Sequence, residues 1–191
     1  MTRSLDIENA LNVVWGWAQK LRGISGFQAA HELEEAVRVL KESAVLNSLS
    51  RWGMPLNGPV AVTQRFGATP ESSFNVEWGG HNGVGLISHD LKVVVPMGGL
   101  VTHVGPWEDR PARGLVVVIQ HSPDLYSHYY HLANCSVREG QVVGAGDILG
   151  YFGQTGLEVA VAAGIPGVGP HLHFGVWNTS QQGFLDPEDF L

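Results

Sequence analysis

The first fifty residues carry apolar positions at helical spacing. These positions fall at i, i+3, i+4, i+7 and i+10, at Leu11, Val14, Trp15, Ala18 and Leu21. A glycine-containing break follows, after which Ser25 and Gln28 have the spacing of a capping box and a second apolar stripe begins. The pattern predicts an N-terminal α-helical hairpin over residues 1–54.

From residue 55 the chain changes to short runs of β-branched and aromatic residues separated by glycine. The predicted strands cover residues 60–64, 92–96, 100–105, 114–121, 125–132, 141–143 and 172–177. Because these runs do not alternate with helical segments, we expect an antiparallel sheet that folds on itself. The predicted fold is mainly β, a compact antiparallel β-sandwich or groove domain over residues 55–191.

Composition indicates a globular chain and excludes two classes of partner. Of the 191 residues, 44% are hydrophobic and 15% are charged, and no apolar run approaches the roughly 20 residues of a membrane span. The formal net charge of −7 and the lack of a basic stripe argue against nucleic acid. The single cysteine, Cys135, excludes an internal disulfide and a thiolate zinc cluster.

The apolar stretch from Leu11 to Ala18 lacks the features of a secretory signal. It is short, it follows the acidic residues Asp6 and Glu8, and no small-residue cleavage site comes after it. We therefore expect no signal peptide in this sequence, and composition alone predicts no cellular location.

Three histidine contexts are the candidates for chemistry. His171 and His173 lie two apart in a predicted strand, so their imidazoles share a face, within reach of one ion or reacting group. His81 lies in a glycine-rich segment that lets the backbone pass close to another group. His131 ends a predicted strand, where we expect it to share a face with Tyr129. Taken singly, the contexts of His81 and His131 are more typical of a structural role, and the His171–His173 pair is as compatible with a structural role as with a chemical one.

Short motifs follow one another along the second region. They occupy residues 64–67, 80–84, 99–101, 129–132, 140–143, 146–147, 150, 153–156, 169–174 and 185–187. Their order resembles that of the lysostaphin-type, LytM-like zinc metallopeptidases, over residues 57–191 and without the helical hairpin. The resemblance implies a β domain with a groove and a zinc-dependent endopeptidase that acts on the peptide cross-links of bacterial peptidoglycan.

Carried over residue by residue, the resemblance implies that His81 and His173 are zinc ligands. It implies that His131 and His171 are the non-ligand catalytic pair. A catalytic zinc takes three protein ligands and one water, whose pKa it lowers to about 7. Two adjacent imidazoles can orient that water, stabilise the oxyanion and pass a proton to the leaving amine.

One ligand position departs from the family pattern. The family has an aspartate ligand four residues after the first histidine, and this sequence has Gly85 there. Glycine has no side chain that could coordinate a metal; Glu77, four residues before His81, is a candidate substitute ligand. Two functions stay open: a zinc endopeptidase impaired by the missing aspartate, and a non-catalytic domain that binds peptidoglycan or regulates a partner cell-wall hydrolase.

Two further expectations follow from the resemblance. Residues 157–168 form a longer segment than the family usually has there, and we expect a surface insertion. A cell-wall or phage-associated location follows from the resemblance alone, with the helical hairpin as a docking element if the chain belongs to a larger assembly.

Overall fold

The computed structural model describes residues 52–68, 80–162 and 169–191, together with five separate positions near the N-terminus, namely Asn12, Trp15, Gly16, Gln19 and Arg22. Its strands are β1 (Val60–Gln64), β2 (Val84–Ser88), β3 (Lys92–Val94), β4 (Gly99–Pro106), β5 (Leu115–Gln120), β6 (Leu125–Cys135), β7 (Val142–Val143), β8 (Ile148–Phe152), β9 (Leu172–Asn178) and β10 (Gly183–Leu185). One helix, α1 (Leu157–Ala162), and the 3-10 turns Pro111–Arg113 and Pro187–Asp189 complete the regular elements of these residues.

The strands form one antiparallel sheet in the order β1-β2-β9-β6-β5-β4-β7. Strand β10 pairs with β9, while β8 pairs with both β3 and β6. The long strand β6 organises this arrangement, because it pairs with β5 over most of its length, with β9 over its first residues and with β8 over its last. The sheet therefore folds on itself, which confirms the predicted mainly antiparallel β fold.

The core lies against one face of the central strands. On that face the fully buried side chains include Tyr129 of β6, Phe174 of β9 and Ile119 of β5. Trp52 closes one end of the core, where its ring packs 5.1 Å from that of Phe190. The opposite face of the same strands carries the histidines, so the core fixes the floor of the candidate site.

Strand prediction failed where glycine interrupts an apolar run. The sequence pattern did not predict β2 and β8, which contain Gly85 and Gly150, or the three-residue strand β10. The expected insertion at residues 157–168 begins with α1 and then leaves the described residues. None of the helices in the described part of the chain has the length and apolar character needed to cross a membrane.

Most of the predicted helical hairpin lies outside the described residues, so the hairpin and the boundary at residue 54 stay predictions. Asn12, Trp15, Gly16 and Gln19 are helical where they are described, and Trp15 is buried. The backbone of Gly16 approaches the start of β4 so closely that a Cβ there would lie 3.3 Å from the carbonyl carbon of Gly99.

Gly150 allows β8 to lie against the end of β6, and it offers a test of the fold. A Cβ at Gly150 would overlap the backbone carbonyl oxygen of Asn134, whereas Gly140, also at positive φ, has open space around it. We expect Gly150→Ala to lower the free energy of unfolding by about 3 kcal/mol and Gly140→Ala by about 1 kcal/mol, the backbone cost alone. Urea unfolding followed by tryptophan fluorescence measures both, and equal losses would contradict this packing.

Candidate functional site

The structure brings the four predicted histidines together on the open face of the sheet. His81 Nε2 lies 3.0 Å from His173 Nδ1. The ring of His131 lies 4.8 Å from that of His171 and 6.0 Å from that of His173. The three separate histidine contexts of the sequence therefore form one cluster.

The backbone carbonyl oxygen of Arg65 fixes the tautomer of His81, and the tautomer of His173 follows from it. His81 Nδ1 lies 3.0 Å from the carbonyl oxygen of Arg65. Because a carbonyl oxygen only accepts, His81 Nδ1 carries the proton and His81 Nε2 keeps its lone pair. His173 Nδ1 must then donate to His81 Nε2, which leaves the second nitrogen, His173 Nε2, as a buried acceptor without a partner among the described residues.

Two neighbours hold the His173 ring in place. The ring of Tyr130 stacks on it at a centroid distance of 4.8 Å, with an interplanar angle of 18°. From another side the backbone approaches so closely that a Cβ at Gly83 would lie 2.6 Å from His173 Nε2. Glycine at this position lets the chain close over the imidazole, as the glycine-rich segment predicted.

His131 and His171 present their Nε2 atoms as acceptors. His131 Nδ1 donates to the carbonyl oxygen of Thr155 at 3.0 Å, and His171 Nδ1 donates to that of Gly169 at 2.8 Å. Both protons are therefore on Nδ1, and both Nε2 atoms keep lone pairs. This is the state in which an imidazole can accept a proton or a hydrogen bond.

The predicted alternation of Tyr129 and His131 on one face is wrong. Tyr129 is fully buried in the core, while His131 lies beside His171 in the cluster. His131 adopts a left-handed backbone conformation with φ of 64°, which breaks the two-residue alternation of the strand. Tyr130, not Tyr129, therefore contributes to the site.

Burial keeps the histidines of the cluster neutral. It lowers the pKa of His81 to about 4 and that of His131 to about 3, and the neighbouring histidines add to both effects. It also lowers the pKa of His171, and that of His173 falls well below its ordinary value. Each ring is therefore neutral at pH 7, with one protonated nitrogen and one nitrogen that keeps its lone pair.

The hydroxyl group of Thr63 lies against Gly85, on the side to which a side chain at this position would project. In the antiparallel register Gly85 lies directly opposite His173, so a side chain there would point to the face of the cluster. A Cβ at Gly85 would lie 2.5 Å from Thr63 Oγ1. Thr63 sits at an irregularity of β1 between Val62 and Gln64, where a bulge redirects a side chain. In its present rotamer the exposed Thr63 hydroxyl therefore occupies the place that the Cβ of an aspartate would take.

The described residues do not fit a three-ligand zinc centre. His81 and His173 present two nitrogens to each other, but no group of three or more histidine, cysteine, aspartate or glutamate side chains in the described ranges is placed to hold a metal ion. Asp90 binds Lys92 N and Asn57 Nδ2 in the turn after β2. Glu77, the candidate substitute ligand, lies outside the described residues.

Several residues that shape the site were missed by the sequence interpretation. Arg65 and Thr155 act through backbone carbonyl oxygens, which leave no signal in side-chain motifs. Thr63 acts through a bulge, which strand periodicity does not predict. Tyr130 lies opposite His173 in the pairing of β6 with β9, whereas the two-residue alternation of the sequence pointed to Tyr129.

Comparison with known proteins shows a matching family model and a relative of known activity. Residues 79–187 match the model of Peptidase family M23. Peptidoglycan DD-endopeptidase ShyA of Vibrio cholerae is 36% identical over 66 residues, which cover 35% of this chain and 13% of ShyA.

Solved structures show the same architecture. Lysostaphin from Staphylococcus simulans matches with a TM-score of 0.56 and 23% identity, over 73% of this chain and 55% of that chain. A zinc-containing peptidase from Vibrio cholerae matches with a TM-score of 0.55 and 24% identity, over 72% of this chain and 39% of that chain. This likeness confirms the predicted lysostaphin-like fold, and the chain spans only part of each of these relatives. Because the family match covers more than half of the sequence, this chain belongs to Peptidase family M23.

Proposed function

We propose that this M23 domain binds peptidoglycan peptides in its groove without hydrolysing them. The observation that carries the proposal is the position opposite His173, where Gly85 offers no carboxylate and Thr63 Oγ1 fills the space. The peptidoglycan substrate class is supported by family membership and by the DD-endopeptidase relative. The proposal implies that the domain acts where peptidoglycan is exposed.

The ligand set at the His81–His173 pair, two imidazoles without a carboxylate, supports a binding function over a hydrolytic one. The two nitrogens that would face a metal are joined by a hydrogen bond, and His173 Nδ1 holds the proton of that bond. Their 3.0 Å spacing is close to that of two nitrogen ligands on one tetrahedral metal, so the contact alone does not decide between the two functions. A two-imidazole site would leave a divalent charge without a carboxylate to balance it, which disfavours a stable zinc site.

The other half of the cluster remains suited to peptide recognition. His131 and His171 direct neutral Nε2 acceptors away from the carbonyl oxygens that hold their Nδ1 atoms. Backbone N–H groups of an extended peptide are suitable donors to such acceptors. These two imidazoles can therefore position a peptide even where no bond is cut.

A second candidate function is a zinc endopeptidase that draws its third ligand from another residue. The observation that favours it is the retention of the whole four-histidine cluster, with two nitrogens 3.0 Å apart and two further imidazoles beside them. In this case zinc, when bound, would activate water and polarise the scissile carbonyl. Glu77 is the substitute ligand that we propose for this case.

Restoring the carboxylate tests the first proposal. We expect wild-type protein purified without chelator to contain much less than one zinc per chain. The double variant Gly85→Asp with Thr63→Ala gains a ligand and the space for it, so its zinc affinity should rise by about 100-fold or more. Zinc titration calorimetry and elemental analysis measure this change.

Matched variants separate charge from space in that experiment. Thr63→Ala alone clears the space without a ligand, and Gly85→Asn with Thr63→Ala adds a similar volume without the charge. Neither should approach the zinc affinity of the aspartate double variant. Stoichiometric zinc in the wild type, with cleavage of cross-linked peptidoglycan, would refute the non-catalytic function; loss of that zinc in Glu77→Ala would then establish the substitute ligand.

Sedimentation with purified peptidoglycan sacculi tests whether the domain binds peptidoglycan. Wild-type protein should sediment with sacculi and release no soluble peptides. His131→Ala with His171→Ala removes both Nε2 acceptors, and we expect the bound fraction to fall at least threefold, on the order of the loss of one or two hydrogen bonds. His89→Ala, an exposed histidine in the turn after β2, is the matched control and should bind like the wild type. Equal binding by all three proteins would contradict a role for the cluster.

A further inference from the structure

A second concave feature lies on the histidine face of the sheet, outside the cluster. It is a cavity of about 300 Å³, at the small end of the range of ligand sites, about 300–1,000 Å³. Its lining residues are mostly aromatic or hydroxyl-bearing, and they are Thr102, His103, Trp107, Val118, Tyr126, His128, Trp177 and Thr179. Neither the zinc-ligand positions nor the paired histidines belong to this cavity.

Strand register explains why these rings meet. Tyr126 of β6 lies opposite Trp177 of β9, so the two side chains share a face. His128 occupies the same face two residues further along β6. Trp107 lies in the loop after β4, and the centroid of its ring is 5.9 Å from that of His128. The Arg113 guanidinium lies 4.7 Å from the centroid of the Trp107 ring. The aromatic pocket is thus built by the sheet and closed by one loop.

The chemistry of the aromatic pocket suits an uncharged ligand with an apolar face and a polar edge. Of the described residues that line it, none is a lysine, arginine, aspartate or glutamate. Burial lowers the pKa of His128 to about 3, so this imidazole adds no charge at pH 7. The rings offer apolar faces, while the hydroxyl groups of Thr102 and Thr179 can bind a polar edge.

Pyranose rings have this combination, because their axial C–H bonds form an apolar face and their hydroxyl and acetamido groups lie around the edge. A nucleotide fits less well, because the pocket lining has no cation for its phosphate. The Arg113 guanidinium is placed over the rings of Trp107 and Tyr130.

The aromatic pocket and the histidine cluster are joined through Tyr130. Its ring stacks on His173, and its hydroxyl lies 3.0 Å from His128 Nδ1. Trp177 and His173 lie four residues apart on β9, which is about 13 Å along a strand. An extended peptide of about four residues spans that distance, so one polymer that carries both sugars and peptides can contact both places.

We propose that the aromatic pocket binds an N-acetylated sugar ring of a glycan strand while the attached peptide lies over the histidine cluster. This inference rests on the proposed peptidoglycan-binding function and adds the glycan to what the domain recognises. The sugar would stack on Trp177 and Trp107, and the two threonine hydroxyls would bind its edge.

The probe for this test is the tetramer of N-acetylglucosamine, with a free peptidoglycan stem peptide as the comparison. In ¹H–¹⁵N NMR titrations of the wild type, the tetramer should shift the indole N–H signals of Trp107 and Trp177. The signal of Trp52, which is buried in the core, should stay in place and serves as an internal control. We expect Trp177→Ala to weaken tetramer binding by at least tenfold, and His171→Ala to change it by less than twofold.

The outcomes separate this inference from the proposed function. Binding of sacculi without any shift of Trp107 or Trp177 by the tetramer would overturn the sugar site and leave the peptide function standing. Shifts of these two signals by the stem peptide alone would also overturn it. Tetramer binding at the pocket without binding of the stem peptide would uphold the sugar site and refute the proposed peptide function. Since the wild-type titration needs no variant, a Trp177→Ala protein that fails to fold does not affect this conclusion.

Discussion

The hydrogen bond between His81 Nε2 and His173 Nδ1 is the constraint on which the rest of the site depends. It joins two buried, neutral imidazoles, one in the segment before β2 and the other on β9, at 3.0 Å. The Arg65 carbonyl oxygen sets its direction, because it forces the proton of His81 onto Nδ1. The position opposite His173, where a carboxylate could complete a metal site, holds Gly85 and the hydroxyl of Thr63 instead.

Contacts of the neighbouring segments support this arrangement. Arg65 forms an ion pair with Glu188 of the C-terminal 3-10 turn, which ties the segment after β1 to the end of the chain. His131 reaches the cluster through a left-handed backbone conformation, supported by the bond from Gly153 N to its carbonyl oxygen at 2.8 Å. These contacts orient the histidines by main-chain groups, which do not depend on a bound metal.

The sequence allowed much of the fold and the membership of the cluster to be predicted. Short runs of β-branched and aromatic residues located β1, β5 and β6, because such residues favour the extended backbone of a strand. Motif order indicated which histidines meet, although spacing could not show which nitrogen of each ring faces the site. That assignment depends on carbonyl oxygens from Arg65, Thr155 and Gly169, which every residue type has in common.

Long-range geometry accounts for what the sequence did not predict. The bulge that directs Thr63 towards Gly85 arises from the register of β1 with β2, and the aromatic pocket arises from the register of β6 with β9. Trp107 comes from a loop whose position depends on Arg113 and on the sheet below. Such features follow from packing between segments distant in the chain, so no local pattern encodes them.

The most direct test of this account is ¹⁵N NMR of the imidazole rings in wild-type protein at pH 7, before and after addition of one equivalent of zinc. The account predicts a neutral His81 protonated on Nδ1, a neutral His173 also protonated on Nδ1, and unchanged shifts for both rings when zinc is present. Metal-induced shifts of His81 Nε2 and His173 Nδ1, with the proton of His173 moved to Nε2, would contradict it.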